Sequence, residues 1–456
     1  MRKFFAIQVA RLARFSSRFA KRGGGTTLPG LLAEKVDPFI VAELAQKLPQ
    51  GVILITGTNG KTTTAKMLSA ILTKAGYEVI YNFSGSNLSR GIASLVTEHA
   101  NFWGTKIKGQ VGIFEVDEAT LPEIANKIPP KLIVITNLFR DQLDRYGELD
   151  KTASIIGSAL QSSPAANVLL NADDPLVASL IKYNKNVKYF GINDQITTKS
   201  KGAIDSKNCL NCGHELEYKP RYFGHLGVYC CPNCNLARPN PEYILSGLKL
   251  AVETSEANFE FGETKQQISV QIPGLYNLYN ALAAASVAAL LGVSPSQISY
   301  GLSNVTAAFG RMEKVTIGNK KIFILLVKNP TGFTQAIETL SYDDKPKNLL
   351  MILNDNFADG TDISWIWDAE MEIIKDITDS VVVSGIRAED LLLRLKYANF
   401  NMQSVMIEKE ISMALDTALN NINDGETLYI LPTYTAMLEV RKILKERNIV
   451  KELMER

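Results

Sequence analysis

A lysine and a hydroxyl at the end of a glycine turn are the groups in this sequence best placed to do chemistry. The segment Gly51-Val-Ile-Leu-Ile-Thr-Gly-Thr-Asn-Gly-Lys-Thr62 starts as an apolar strand and breaks at Gly57, Thr58, Asn59 and Gly60. Two glycines let the backbone turn tightly enough for several N–H groups to converge on one oxyanion. Lys61 adds a point charge and Thr62 can ligate Mg²⁺. A helix opening near Thr63 aims its positive end at the same spot. A full phosphate loop would want glycine at position 55, where this chain has Ile55, so the match is to a shorter variant. Nucleotide phosphate is the expected ligand.

All five cysteines lie between 209 and 234. Cys209-x₂-Cys212 and Cys231-x₂-Cys234 are two knuckles flanked by Gly213, Gly224, Gly227 and Pro232. Four thiolates at this spacing suit tetrahedral Zn²⁺ in a closed structural site. The competing reading is a pair of disulfides, which a chain with no secretory signal disfavours. Cys230 is spare. His214 and His225 could be ligands, but four cysteines already fill the site.

Polar groups recur where predicted strands end, the positions at which α/β sheets hold ligands. Phe114-Glu115-Val116-Asp117-Glu118 offers an acid for Mg²⁺. Thr136-Asn137 with Arg140 to Arg145, and Asn171-Ala-Asp173-Asp174, repeat the pattern. Asn277 and Asn280 share one face at the start of an Ala/Leu helix, where their amides could read an adenine edge or act as caps.

These groups require a sheet to position them. From about residue 50 to 180, apolar strands alternate with helical stretches, as in a doubly wound parallel sheet. Strands are expected at Val52–Ile55, Glu78–Tyr81, Gly112–Val116, Leu132–Thr136 and Val168–Asn171. The cysteine segment, 205–240, interrupts this unit. A second α/β unit follows a break near Val305–Arg311, with strands near Ile322–Val327, Asn348–Leu353, Ser380–Ser384 and Leu428–Leu431. The expected domains are 1–49, 50–304 and 305–456. With 46% hydrophobic and 21% charged residues, the composition is that of a globular protein. A net charge of +2 says little about partners, and no nucleic-acid partner is expected. Residues 1–22 differ, carrying seven Lys/Arg and no acid, with Leu12, Phe15 and Phe19 at helical spacing. An interfacial helix on anionic lipid, a transit peptide, or a helix docked on the protein body all fit that pattern.

Taken in order, these segments resemble the Mur ligase superfamily. The resemblance rests on Gly57 to Thr63, Glu115, Thr136-Asn137 with Asp141 to Arg145, Asn171 to Asp174, Tyr276-Asn277 with Asn280, and Gly310-Arg311-Met-Glu313. It implies an α/β fold: a central P-loop ATPase domain with an inserted four-cysteine zinc ribbon, and a Rossmann-like C-terminal domain. It further implies that ATP phosphorylates a carboxylate and that an amine attacks the acyl phosphate. Lys61 and Thr62 would hold the phosphates and Mg²⁺, with Glu115 as the metal carboxylate. Asn280 with Asn277 would contact adenine, and Arg311 would reach the phosphates.

Departures from the amino-acid-adding members point to one branch. Gln142 stands where those members carry histidine, and no lysine occurs from 152 to 181, where they carry a carbamylated one. Their Asp-x-x-His-x-Pro segment appears as Leu325-Leu-Val-Lys328-Asn329-Pro330, so Lys328 would supply positive charge to the nucleotide. About 50 residues precede the loop, too few for a nucleotide-sugar domain. Together with Asn354-Asp355-Asn356-Phe357, this resembles the synthetase branch that works with a GatD-type glutaminase. Its implied substrate is lipid II at the inner face of the bacterial membrane, amidated at D-glutamate with ammonia from the partner. Asp355 would complete the partner's catalytic triad, with Asp359 and Asp362 as weaker candidates. An amino-acid-adding ligase and a non-catalytic nucleotide-binding scaffold are the alternatives. Glutamine hydrolysis needs a nucleophilic cysteine with a histidine. Every cysteine here belongs to or adjoins the ribbon, and His99 is the only histidine outside it.

Overall fold

A computed structural model describes residues 2–19, 27–82, 89–140, 149–196, 205–305 and 311–450, apart from the side chains of residues 17–19 and 311. Asp141 to Arg145, Gln142 among them, and Gly310 fall outside the described residues.

The first lobe is built on a nine-stranded sheet. Its strands are β1 (Val52–Thr56), β2 (Val79–Tyr81), β3 (Val111–Glu115), β4 (Leu132–Ile135), β5 (Asn167–Asn171) and β6 (Val187–Ile192). A hairpin, β7 (Glu217–Phe223) and β8 (Leu226–Cys230), interrupts the sheet before β9 (Tyr243–Leu250), β10 (Ser255–Phe261) and β11 (Thr264–Val270). Strand order is β11-β10-β9-β6-β5-β4-β1-β3-β2. The seven strands from β9 to β2 are parallel, and β10 and β11 add an antiparallel edge. Strands β1, β3 and β4 are buried along their whole length, which explains their unbroken Val/Ile/Leu runs. β10 instead alternates, burying Ala257 and Phe259 between Glu256, Asn258 and Glu260. The chain leaves β1 for the β2 edge, returns to β3 beside β1, and crosses to β4 on its other side. The exit of β1 is therefore a topological switch point, where such sheets bind ligands.

The second lobe is a six-stranded sheet of β12 (Arg311–Ile317), β13 (Lys320–Leu325), β14 (Lys347–Ile352), β15 (Thr378–Ser384), β16 (Val405–Ile407) and β17 (Thr427–Pro432). Its order is β12-β13-β17-β14-β15-β16, antiparallel only at β12. The lobes meet where the apolar helix Leu275–Leu290 approaches the helix Pro330–Leu340. Gly274 allows that approach, because a Cβ there would lie 2.8 Å from Thr339 Oγ1.

The N-terminal helix, Arg2–Phe19, is docked on the body, one of the three arrangements its sequence admits. It buries Ala6, Ile7 and Ala10 against the helices Leu28–Val36 and Ser89–His99.

Behind the switch point, Asp173 and Asp174 follow β5 fully buried. Asp174 caps the next turn through Leu176 and Val177 N–H groups and accepts from Leu138 N at 2.8 Å. Asp173 accepts from Tyr279 Oη at 2.5 Å, Ile192 N at 2.8 Å and Arg238 Nε at 2.5 Å. Burial pushes the Asp173 carboxyl upward in pKa, and Arg238 opposes that shift. One carboxylate thus ties the sheet, the Leu275–Leu290 helix and the end of the cysteine segment together. Removing one partner of such a buried pair costs about 3 kcal/mol or more. Arg238→Ala should lower unfolding free energy by about that amount in urea denaturation, with the Leu275–Leu290 helix the first element to lose hydrogen-exchange protection.

Candidate active site

The phosphate loop hangs between two strand exits. Gly57 (φ 128°) and Gly60 (φ 89°) have backbone angles that other residues rarely adopt. Both are also crowded. A Cβ on Gly57 would collide with Thr136 Oγ1 and Asn137 O, and one on Gly60 would collide with Asn280 Oδ1. The exit of β4 braces the loop atom by atom. Thr58 N donates to Asn137 O at 2.9 Å, and Asn59 N donates to Asn137 Oδ1 at 3.0 Å. Thr136 Oγ1 and Asn137 Nδ2 both donate to Asn59 O, at 2.8 and 3.1 Å. Thr58 Oγ1 exchanges hydrogen bonds with the backbone of Phe139. Thr58 and Asn59 therefore shape the loop, leaving the helix start, Lys61–Thr62–Thr63, to face a ligand. Thr62 is half-buried and Thr63 buried.

Lys61 Nζ donates to Gly57 O at 2.7 Å and lies 3.4 Å from Glu118 Oε2 and 3.8 Å from Asp117 Oδ1. Glu115 ends β3 opposite Ile55, one residue short of the β1 exit. Its backbone is clamped by Asn82, which donates to Glu115 O at 3.0 Å and accepts from Glu115 N at 2.9 Å. Its side chain is buried. Glu118 and Asp117 are thus acids beside Lys61, from the same segment as Glu115, the expected metal carboxylate. Only the turn after β3 shows that they face the lysine. Oxygen donors from Thr62, Glu115 and Glu118 are the hard set that Mg²⁺ prefers.

Asn277 and Asn280 depart from the adenine-reading expectation. Both are buried with their amides turned onto the chain. Asn277 Nδ2 donates to Pro273 O at 2.7 Å, and Asn280 Nδ2 donates to Asn277 Oδ1 at 3.2 Å. Asn280 Oδ1 lies against Gly60 and accepts from Thr64 Oγ1 at 3.4 Å. As placed, they support the loop from beneath.

The second lobe reaches the loop through Asn329. Its amide donates to Asn59 Oδ1 at 3.2 Å, while its own Oδ1 caps the Pro330–Leu340 helix through Gly332 N at 2.7 Å. Lys328 is half-buried beside it. Arg311 opens β12, and two residues on Glu313 pairs with Arg441. Lys66, on the phosphate-loop helix, is lowered in pKa by burial, with Glu313 opposing that shift. Asn329, Lys66 and Arg441 were not legible as partners because their contacts join residues far apart in the chain, 128 positions for Arg441 and 270 for Asn329.

Asp355 lies beyond the end of β14 in the second lobe, 3.2 Å from Arg387 Nε. It is partly exposed, beside Phe357 at 91% exposure and Asn356. Asp359 is buried and accepts from Thr435 N at 2.7 Å and Thr435 Oγ1 at 2.5 Å, so it is a structural cap. Asp362 accepts from Ser364 N at 2.8 Å, and hydrogen bonding to the Ser364 side chain, then to its backbone, lowers its pKa. Of the three acids, Asp355 alone combines exposure with a cationic neighbour.

The cysteine segment folds as expected. Sγ atoms of Cys209, Cys212, Cys231 and Cys234 lie within 4.8 Å of one another. Cys209–Cys234 and Cys212–Cys231 are 3.5 Å apart, too far for disulfides. Donation from the His214 backbone, then from Asn233, holds the Cys212 thiol down at about 6. Four clustered sulfurs fit Zn²⁺. His225 is not among them. It is fully buried against Phe139 with Nε2 3.3 Å from Asp174 Oδ2, so the ribbon packs on the floor beneath the phosphate loop.

A switch-point phosphate loop facing a second α/β lobe defines the class of this protein, a Mur-type ligase. The sequence matches the Mur ligase middle domain over residues 55–228 and the MurT ligase C-terminal domain over residues 326–437. It is 38% identical to the MurT subunit of the glutamine-hydrolysing lipid II isoglutaminyl synthase of Streptococcus pneumoniae, covering 97% of this chain and 98% of that one. The chain belongs to the MurT family. Among solved structures it is similar to a pseudomurein peptide ligase type C from Methanothermus fervidus (TM-score 0.71, 25% identity, 89% of this chain and 80% of that one). It is also similar to the MurF ligase of Thermotoga maritima in complex with ADP (TM-score 0.63, 14% identity, 93% and 86%).

Two outcomes follow from this geometry. Purified chain should carry one zinc, and Cys231→Ser should lose it and lower the thermal midpoint, read by metal analysis and calorimetry. Gly60→Ala should leave the zinc in place yet weaken nucleotide binding at least about tenfold in calorimetric titration, because the loop must move off Asn280.

Proposed function

We propose that this chain is the ATP-consuming subunit of a lipid II isoglutaminyl synthase, converting the α-carboxylate of D-glutamate in lipid II to an amide. One observation carries the reading. A phosphate loop meets Asn329 of the second lobe across a crevice, in a chain of MurT kinship whose cysteines are all confined to the ribbon segment. The phosphate loop supports carboxylate activation by ATP. The cysteine distribution supports an outside source of nitrogen, a GatD-type glutaminase bound as the other half of a heterodimer.

In this reading the substrate carboxylate attacks the γ-phosphorus, and ADP leaves. Ammonia then attacks the acyl carbon and inorganic phosphate departs, leaving the amide. Lys61 exchanges its contact with Gly57 O for phosphate oxygens, and loop N–H groups hold them in place. Thr62 and Glu115, with Glu118 beside Lys61, would hold Mg²⁺, which neutralises phosphate charge when bound. Arg311 and Lys328, both from the second lobe, would add positive charge at the phosphates. Little general-base chemistry is demanded of this chain, in keeping with its three histidines.

Asp355 and the exposed Phe357 and Ile386 around it form the docking face for the glutaminase, where Asp355 orients the partner's catalytic histidine. The work takes place at the inner face of the membrane, where the lipid substrate resides. Among the described residues, no helix is long and apolar enough to cross a membrane.

Reconstituted with a GatD-type glutaminase, ATP and glutamine, the chain should convert lipid II D-glutamate to D-isoglutamine by mass spectrometry. Absence of product would reject the reading. Lys61→Ala should reduce turnover at least about a hundredfold while leaving co-purification with the glutaminase intact. Asp355→Asn should reduce glutamine-dependent turnover at least about a hundredfold and ammonia-dependent turnover less than about twofold. Equal losses with both nitrogen sources would remove Asp355 from its role.

A further inference from the structure

The N-terminal helix is docked the wrong way round for an ordinary amphipathic helix. It turns a narrow face toward the protein, with Ala6, Ile7 and Ala10 buried. Its large apolar residues face outward, with Phe5, Leu12 and Phe15 exposed by 55, 67 and 65%. Positions 5, 12 and 15 share one helical face. Globular packing normally buries that stripe.

A second element extends the same surface. Phe102 and Trp103, at the tip of the loop after the Ser89–His99 helix, are exposed and form a ring cluster with Phe4. Gly104 (φ 67°) locks that tip to the helix, since a Cβ there would come within 2.6 Å of Ile7 Cδ1 and 2.8 Å of Lys3 Cγ.

Charge names the occupant. Residues 1–22 carry seven Lys/Arg and no acid, and the loop 101–110 adds Lys106 and Lys108, again with no acid. Arg2, Lys106 and Lys108 are exposed. Lys3 pairs with Glu43 and Arg14 with Glu98, so part of the charge is used internally. Cations beside an outward Phe/Leu/Trp face match an anionic bilayer surface, with aromatic rings at the headgroup level.

The orientation of the helix fits a membrane-bound substrate. Arg14 donates to Ser94 O at 2.8 Å, Arg11 to Ala100 O at 3.0 Å and Gln8 to Phe102 O at 2.9 Å. The N-terminal helix thus runs antiparallel to Ser89–His99, along the β2 edge of the sheet. Ser89–His99 lies in the chain between the parallel strands β2 and β3 and so runs against them, which points the end of the N-terminal helix near Phe15 toward the rim that carries the phosphate loop.

We propose that the outward face of the N-terminal helix and the Phe102–Trp103 tip seat this protein on anionic membrane, lying in the interface without spanning it. The assignment of a lipid-linked substrate rests on the function proposed above; the surface itself does not.

The test uses the full chain in complex with its glutaminase, and vesicles of phosphatidylcholine alone or mixed equally with phosphatidylglycerol. The wild-type complex should float with the anionic vesicles, weakly with the neutral ones, and less at high salt. The triple variant L12S/F15S/W103S, altered only at exposed positions, should lose at least about tenfold in anionic-vesicle binding with an unchanged thermal midpoint. Its lipid II turnover should fall in vesicles and hold in detergent micelles. Failure of the wild type to bind, equal binding by the variant, or loss of turnover by the variant in detergent would overturn the proposal. A wild-type self-association that the variant abolishes in light scattering would also overturn it, assigning the face to a second copy. If neither protein turned over lipid II in detergent, the functional reading would fail while vesicle binding still judged the surface.

Discussion

A glycine turn that presents N–H groups to a phosphate cannot hold its own shape, because the glycines that permit the turn also permit many others. In this chain the exit of β4 holds it. Thr136 and Asn137 supply two donors and two acceptors to Thr58 and Asn59, and Phe139 closes the other side of Thr58. The loop's geometry is thus a property of two strands paired in register, Thr56 with Ile135. Asn280 adds a wall against Gly60, so the turn is bounded by two segments distant in sequence.

That support is itself supported. Asp174 fixes Leu138 N, between the bracing asparagine and Phe139, and His225 of the ribbon packs on both Asp174 and Phe139. Asp173, its neighbour, collects Tyr279, Arg238 and Ile192 N. Burial, with Asp173 beside it, drives the Tyr279 hydroxyl well above its usual pKa and keeps it a donor. The ribbon therefore belongs to the floor of the nucleotide lobe. Gly227 N donates to Asp173 O and Tyr222 Oη donates to Ile192 O, so its hairpin is stitched on at several points.

What the sequence disclosed were features encoded within a few residues of one another. The phosphate loop, the paired cysteine knuckles and the buried parallel strands each have a local signature, and each appears at its expected place. Strand β6 and the β9–β11 meander were missed or blurred, since short and half-polar segments carry weak periodicity. Side-chain assignments fared worse wherever burial decides them. Glu115 was legible as a strand-end carboxylate for the metal, but that the turn after β3 also brings Glu118 to Lys61 was not. Asn277 and Asn280 looked like base readers, but the packing of their helix on the Lys61–Lys74 helix turns them inward. The contact between Asn329 and Asn59 joins two lobes, and nothing in the primary structure near either residue announces it.

The strand order of the second sheet has a spatial consequence. Asn329 follows β13 and Asp355 follows β14, with only β17 between them, and all three strands point the same way. The two residues leave the same rim, separated laterally by two inter-strand spacings, or about 10 Å. A small neutral molecule released beside Asp355 would need to travel only along that rim, past Thr433 at the exit of β17, to arrive at the crevice mouth. No tunnel through either sheet is required, so seclusion from bulk water falls to the loops roofing a single edge.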